Sequence, residues 1–288
     1  MEQGKIPHLD HYVLETLKAL KGWSYPQVDL KKSDRNIFMG SGSAYCTAEL
    51  WAKKFGGIAL HASEYKEHLE NIEDKNFESV NIVSASGGKD SIPMAKFCNE
   101  VLNVKPNLIT CNAEAPAKEY CGKVFAFPSF QEPPTYNTST YGSMIYWLFG
   151  EDPQAIFDFV SKMEVPNLRE YHYVFFMADD KHSIIAEMAA RKIAETNQGV
   201  ATNAAGFTHG AHGMLRQPDD KRLVVAMNLD YPFAKENTCT IMLDSYLGLM
   251  MATYYIIGKN QTDQDTDNIV KDYAEVAAKF GWKFNKIN

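Results

Sequence analysis

Two short loops carry the residue types best suited to holding an anion. The run VNIVSASGGKDSIPMAKF, from Val80 to Phe97, leaves an apolar stretch, places Ser84, Ser86, Gly87 and Gly88 close together, and then turns helical. Proline is tolerated in the first turn of a helix and not beyond it, so Pro93 sets the helix start near Asp90 or Ser91. Ser84 to Lys89 then form a loop at the C-terminal end of a strand. Small side chains let an anion reach the backbone, and the Ser84 and Ser86 hydroxyls and the unpaired N–H groups of a first helical turn can donate to phosphate oxygens. A plain tight turn would use the same residues. GSGSAY, Gly40 to Tyr45, has the same context and offers Gly42 and Ser43. Its last position is Tyr45, where the dinucleotide fingerprint GxGxxG needs glycine, and neither loop has the Gly-Lys-Ser/Thr of a P-loop. Two Ser/Gly loops of this kind suit a small phosphorylated ligand better than a nucleotide.

The elements that must position these loops alternate. Strands are expected at Asn36–Met39, at IALH, at VNIVS, at NLITC and at KVFAF, with helices between them. A long helix from Thr138 to Phe149 follows, continued from Asp152 to Met163. After a linker-like PNLRE the pattern restarts with the strand Tyr173–Met177, the loop ADDKHS, a helix from Ser183 to Glu195 and the strand Arg222–Asn228. Helices from Ile241 to Ile257 and from Asp265 to Phe280 end the chain. Alternating strands and helices imply parallel sheets. The expectation is two flavodoxin-like α/β units of three layers, αβα, the second abbreviated. The corresponding segments are an N-terminal helical piece at 1–34, a first domain at 35–165 and a second at 166–288.

Composition narrows the function classes. The chain has 288 residues, is 45% hydrophobic and carries a net charge of −7 with the two signs interspersed, which speaks against a nucleic-acid binder. Five cysteines, an odd number without a CxxC pair, argue against a disulfide framework or a zinc site. The N-terminal residues lack a signal-peptide core, and the apolar run Ile241–Ile257 contains Asp244, Ser245 and Thr253, so it reads as a buried helix. A soluble, cytoplasmic protein is expected.

GSGSAY followed by SASGGK resembles the paired signature of SIS (sugar isomerase) phosphosugar-binding domains. EPPTYNTSTYGSMIYWL, Glu132 to Leu148, is similar to the family segment in which a glutamate precedes a Ser-Thr at the head of a long helix; Glu132 and Thr138 match. ARKIAETNQGVATNAAGFTHGAHGML, Ala190 to Leu215, resembles the family helix that ends in a catalytic glutamate and is followed by a His-Gly pair; Glu195 and His209 match. The resemblance runs from about Asn36 to Leu215 and is to the isomerases that carry two SIS units; the glutamine-hydrolysing domain of the related synthases is not in this sequence. There are departures. Lys89 stands where threonine is usual, Ala44 where serine is common, and Glu195 and His209 are two residues closer in sequence than expected, which leaves His212 as an alternative histidine.

The resemblance implies an aldose–ketose isomerase, or a deglycase, acting on a 6-phosphosugar or its amino derivative through an enediol or enolamine. Gly42, Ser43, Ser84, Ser86, Gly87, Lys89, Thr138 and Glu132 would bind the phosphosugar. A histidine near neutrality suits ring opening and a carboxylate suits proton transfer between C1 and C2; His209 and Glu195 would supply them, with Lys192 balancing developing oxyanion charge. Lys192 and Glu195 share a helix face. Glu187 and Glu132 are candidates for a second glutamate, and Lys271 matches a family lysine but sits in a polar helix. The family assembles this site in a homodimer, the neighbour lending the histidine. Such chemistry needs no cofactor, and HxxH at His209 and His212 lacks a third ligand for a metal. The competing expectation is a phosphosugar-binding regulator without turnover.

Overall fold

A computed structural model describes residues 6–196, 199–214, 220–231 and 237–280. The chain divides into two compact units: residues 22–130 with 143–150, and residues 1–21, 131–142 and 151–288.

The unit of residues 22–130 holds a five-stranded parallel sheet. Its strands are β1 (Asn36–Gly40), β2 (Ile58–His61), β3 (Ser79–Val83), β4 (Asn107–Thr110) and β5 (Lys123–Ala126), in the order β2-β1-β3-β4-β5. This is the flavodoxin-like order, with its topological switch between β1 and β3. All five residues of β1 and four of the five in β3 are buried, as a sheet covered on both faces requires. Helices α2 (Ser43–Phe55), α3 (Tyr65–Asn71) and α4 (Ser91–Glu100) make the crossovers. On one face Ile37, Met39, Val80, Ile82 and Leu108 pack against Met94, Phe97 and Cys98 of α4. Trp51 of α2 stacks on Trp147 at 5.3 Å between ring centroids and meets Phe38 and Phe127.

The other unit repeats the order with one strand fewer. Strands β6 (Tyr173–Ala178), β7 (Ala201–Gly206), β8 (Arg222–Met227) and β9 (Thr238–Ile241) pair in parallel as β7-β6-β8-β9, so among the described residues the expected abbreviation is the absence of a fifth strand. Helix α5 (Thr138–Phe149) begins in this unit, and α6 (Pro153–Val160), α7 (Ser183–Glu195), α8 (Phe207–Met214), α9 (Tyr246–Lys259) and α10 (Asp263–Phe280) follow. The N-terminal helix α1 (Leu9–Ala19) packs on α9, as do α6 and α7. This burial explains the apolar run near residue 250: every residue from Tyr246 to Gly258 is buried. The expected start of that helix at Ile241 is corrected. Ile241 closes β9, and Ser245 caps α9 by accepting from the Gly248 N–H at 2.7 Å. No helix among the described residues is long and apolar enough to cross a membrane.

Candidate functional site

The two Ser/Gly loops lie side by side. β1 and β3 are neighbours, with Met39 opposite Ile82, so the chain leaves both strands on either side of the switch point, where open α/β sheets bind ligands. In the first loop Gly42 has φ 57° and ψ −128°, a conformation open in practice only to glycine, and it turns the chain into α2 without a side-chain cap. Ser43 opens α2 and is buried; its Oγ has no hydrogen-bond partner among the described residues.

In the second loop the serine hydroxyls are partly engaged. Ser84 Oγ accepts from the Gly87 N–H at 3.1 Å and Ser86 Oγ from the Gly88 N–H at 3.3 Å. A hydroxyl that accepts from the backbone keeps its own proton to donate, so each remains a donor for an anion. Helix α4 begins at Ser91, as Pro93 required, and its Asp90 makes no side-chain cap. Lys89 is exposed, with Asp90 at 4.0 Å.

A second cluster gathers Glu132, Thr138, Lys192 and Glu195 within the other unit. The Glu132 carboxylate sits on the start of α5. Oε2 accepts from the Thr138 N–H at 2.7 Å, and Oε1 accepts from the Ser139 N–H at 2.5 Å and from the Ser139 hydroxyl. Burial holds its pKa above the ordinary glutamate value, a rise opposed by those hydrogen bonds and by the charge of Lys192. Thr138 is buried, and its Oγ1 has no hydrogen-bond partner among the described residues. Lys192 is 0% exposed. Its ammonium donates to Glu195 Oε2 at 2.6 Å and to the Thr135 carbonyl, and lies 5.1 Å from the centre of the Tyr254 ring. Thr135 presents that carbonyl at φ 71°, and Asn137 follows at φ 48°. A β-branched residue at positive φ costs on the order of 1–3 kcal/mol and is a mark of functional loops. The Glu195 side chain is 34% exposed, so one end of the pair faces solvent. Burial first, and then the charge of Glu195, pushes the Tyr273 hydroxyl up to about 12.

Thr135, Tyr254 and Tyr273 were not singled out in the sequence. Tyr254 is one apolar-helix residue among many, and Thr135 acts through its carbonyl, which no residue type announces. Glu187 pairs with Arg191 on the surface of α7, and Lys271 is exposed on α10.

His209 does not join Glu195 within the chain. Glu195 ends α7 at the edge where β7 starts, whereas His209 follows the end of β7 on the first turn of α8. Six residues of strand separate the two edges, roughly 17 Å at about 3.3 Å per step. His209 is exposed, and the His212 side chain lies outside the described residues.

The helix starts of the two units differ in kind. In the unit with the four-stranded sheet a carboxylate of the protein accepts backbone N–H groups at α5 (Glu132), α6 (Asp152), α7 (Asp179), α8 (Asp180) and α9 (Glu151). In the other unit α2 starts from Gly42, which has no side chain to cap it, and the Asp90 carboxylate at the start of α4 makes no side-chain cap.

Two parallel sheets in flavodoxin-like order, the first edged by paired Ser/Gly loops, define the fold class, and solved structures share it. Among solved structures, the C-terminal domain of glucosamine-fructose-6-phosphate aminotransferase from Francisella tularensis aligns over 91% of this chain and 94% of its own at a TM-score of 0.61 and 12% identity. Glucosamine-6-phosphate deaminase from Thermotoga maritima aligns over 90% and 92% at 0.57 and 13%. Tagatose-6-phosphate ketose/aldose isomerase from Escherichia coli aligns over 93% and 88% at 0.54 and 12%. At these identities the likeness is one of fold. No protein-family model matches the chain, and no curated protein matches its sequence.

Proposed function

We propose that the chain is a phosphosugar isomerase or deglycase that moves a proton between C1 and C2 of a 6-phosphosugar or its amino derivative. The observation that carries this is the Lys192–Glu195 pair. A buried ion pair adds little or nothing to stability over an apolar pair of the same size. A lysine with no exposed surface, aimed at a carboxylate that is one-third exposed, therefore supports a chemical role. Glu195 takes the proton from C2 of the open-chain aldose, leaving an enediolate whose charge Lys192 offsets; that proton returns to C1 while the O2 proton passes to O1, which leaves the ketose carbonyl at C2. In the deglycase variant the same transfer passes through an enolamine. Ser43, Ser84, Ser86, Gly42, Gly87 and Lys89 hold the phosphate, and Glu132 and Thr138 contact the sugar. The distance from Glu195 to His209 along β7 supports a homodimer in which the neighbour's histidine opens the ring. The same distance favours, as the second reading, a phosphosugar-binding protein without turnover.

The test is Glu195→Gln assayed against hexose, hexosamine and fructosyl-amine 6-phosphates. The expected result is a loss of about 10²–10⁴-fold in kcat with phosphosugar binding retained. Binding without turnover in the parent protein would establish the second reading. A parent protein that binds none of the phosphorylated sugars would overturn both.

A further inference from the structure

The sheet edge that carries His209 also carries two consecutive carboxylates, Asp179 and Asp180, at the end of β6. They face different ways. Asp179 accepts from the His182 N–H at 2.9 Å, from His182 Nδ1 at 2.6 Å and from Asn228 Nδ2 at 2.7 Å, which ties α7 to β8. Asp180 turns to α8. Its Oδ1 accepts from the Thr208 N–H at 3.0 Å and its Oδ2 from the Thr208 hydroxyl. Thr208 is the residue before His209. Gly206 makes room for this contact: a Cβ there would lie 2.8 Å from Asp180 Oδ1 and 3.1 Å from Ser183 Cβ. The other charged neighbours are engaged elsewhere, Lys181 with Asp244 and Asp179 with His182.

We infer that Asp180 is the positioning residue for His209: it pins the first turn of α8 through both donors of Thr208, the residue immediately before the imidazole. The electrostatics agree. The Asp180 carboxyl lies below its ordinary value, because of the two Thr208 hydrogen bonds first and the charge of His209 after them. An anchored helix start fixes where the exposed histidine next to it sits. The inference rests on the proposal that His209 handles the ring-opening proton, and the experiment separates the two.

Coupling between the two groups is mutual, so it can be read from the Asp180 side without an activity assay. In His209→Ala, a carbon-detected NMR titration should show the Asp180 carboxyl moving up toward the ordinary aspartate value, with the Thr208 amide unchanged. An unmoved titration overturns the placing of the imidazole within electrostatic reach of Asp180. In Asp180→Asn, which keeps one acceptor for Thr208, kcat/KM should fall by up to about 10²-fold, the scale set by misplacing a reacting group by 1 Å. Its pH profile should change shape while the melting temperature holds. Thr208→Val, which keeps the carboxylate and removes one anchor, should lower kcat/KM and leave the shape of the profile intact. A parent-like profile in Asp180→Asn, with turnover abolished in His209→Ala, overturns the positioning role alone. Full turnover in His209→Ala overturns the ring-opening role of that histidine.

Discussion

Removing either partner of the Lys192–Glu195 pair leaves a charge behind, and the structure predicts which leftover charge is worse. Glu195→Gln strands the ammonium. Lys192 is 0% exposed, so it keeps only the Thr135 carbonyl, an amide oxygen and the Tyr254 ring, with the charge of Glu132 as distant compensation. Breaking a buried pair in this way costs about 3–5 kcal/mol. Lys192→Met strands the carboxylate instead. Glu195 is 34% exposed and regains water, while methionine fills most of the lysine's space, so the loss is the hydrogen bonds, about 1–2 kcal/mol. At about 2–4 °C per kcal/mol for a chain approaching this size, Glu195→Gln should melt roughly 10 °C below the parent and Lys192→Met roughly 4 °C below. The double variant should recover to within about 1 kcal/mol of Lys192→Met, because no charge is left in the interior. Urea unfolding followed by far-UV circular dichroism gives all four free energies. A loss in Lys192→Met equal to or larger than that in Glu195→Gln would refute the argument, since burial of the ammonium would then not set the balance.

Ser43→Ala should leave stability within about 0.5 kcal/mol of the parent, because the hydroxyl has no protein partner among the described residues, yet weaken phosphosugar binding by about tenfold, the worth of one hydrogen bond to a charged group; calorimetric titration measures the second and a thermal melt the first. Gly42→Ala meets no atom within 4 Å, so its whole cost is the strained backbone, about 1–3 kcal/mol, and an unchanged melting temperature would contradict the φ of 57°. Glu132 has a raised pKa in the folded chain, so the folded state holds that proton more tightly than the unfolded one. Its contribution to stability must fall as pH rises from the ordinary glutamate value of about 4.3 toward the raised value, and stay low above it. The parent's stability relative to Glu132→Gln, from urea unfolding across that window, should therefore decline with pH; a rise would reverse the assignment.

Much of the fold was legible because its signals are local. Pro93 dated the start of α4, Ser183–Glu195 read as a helix from end to end, and short apolar runs marked β1, β3 and β6, the first ending at Gly40. β7 was missed because ATNAAG has almost none of the β-branched and aromatic residues that announce a strand. Small residues are needed there: Gly210 of α8 packs so closely that a Cβ on it would come 3.3 Å from Ala205 and 2.6 Å from Met177. β9 was absorbed into the apolar run behind it, since the break at Leu243–Ser245 is a cap rather than a glycine or proline. The candidate residues could be named in sequence, but their grouping could not. Lys192 reaches the carbonyl of Thr135 across 57 positions, a contact set by tertiary packing and by a threonine at positive φ. The separation of Glu195 from His209 likewise follows from strand direction, whereas their fourteen-residue spacing suggested proximity.

The carboxylates at the helix starts give the two halves of the chain different appetites. Five helices of the four-stranded unit carry their own anion where an external one would bind, and α1 starts on the neutral amide oxygen of Gln261. In the other unit α2 starts on Gly42 and α4 on an Asp90 that makes no cap. An anion added from solution is therefore expected at the Ser/Gly loops. Amide hydrogen exchange should slow on phosphate binding at Gly42–Tyr45 and Ser86–Ser91 and stay constant in the first turns of α5 to α9. Titration with inorganic phosphate should reach a plateau at one ion per copy of the chain, although the sheet architecture is present twice.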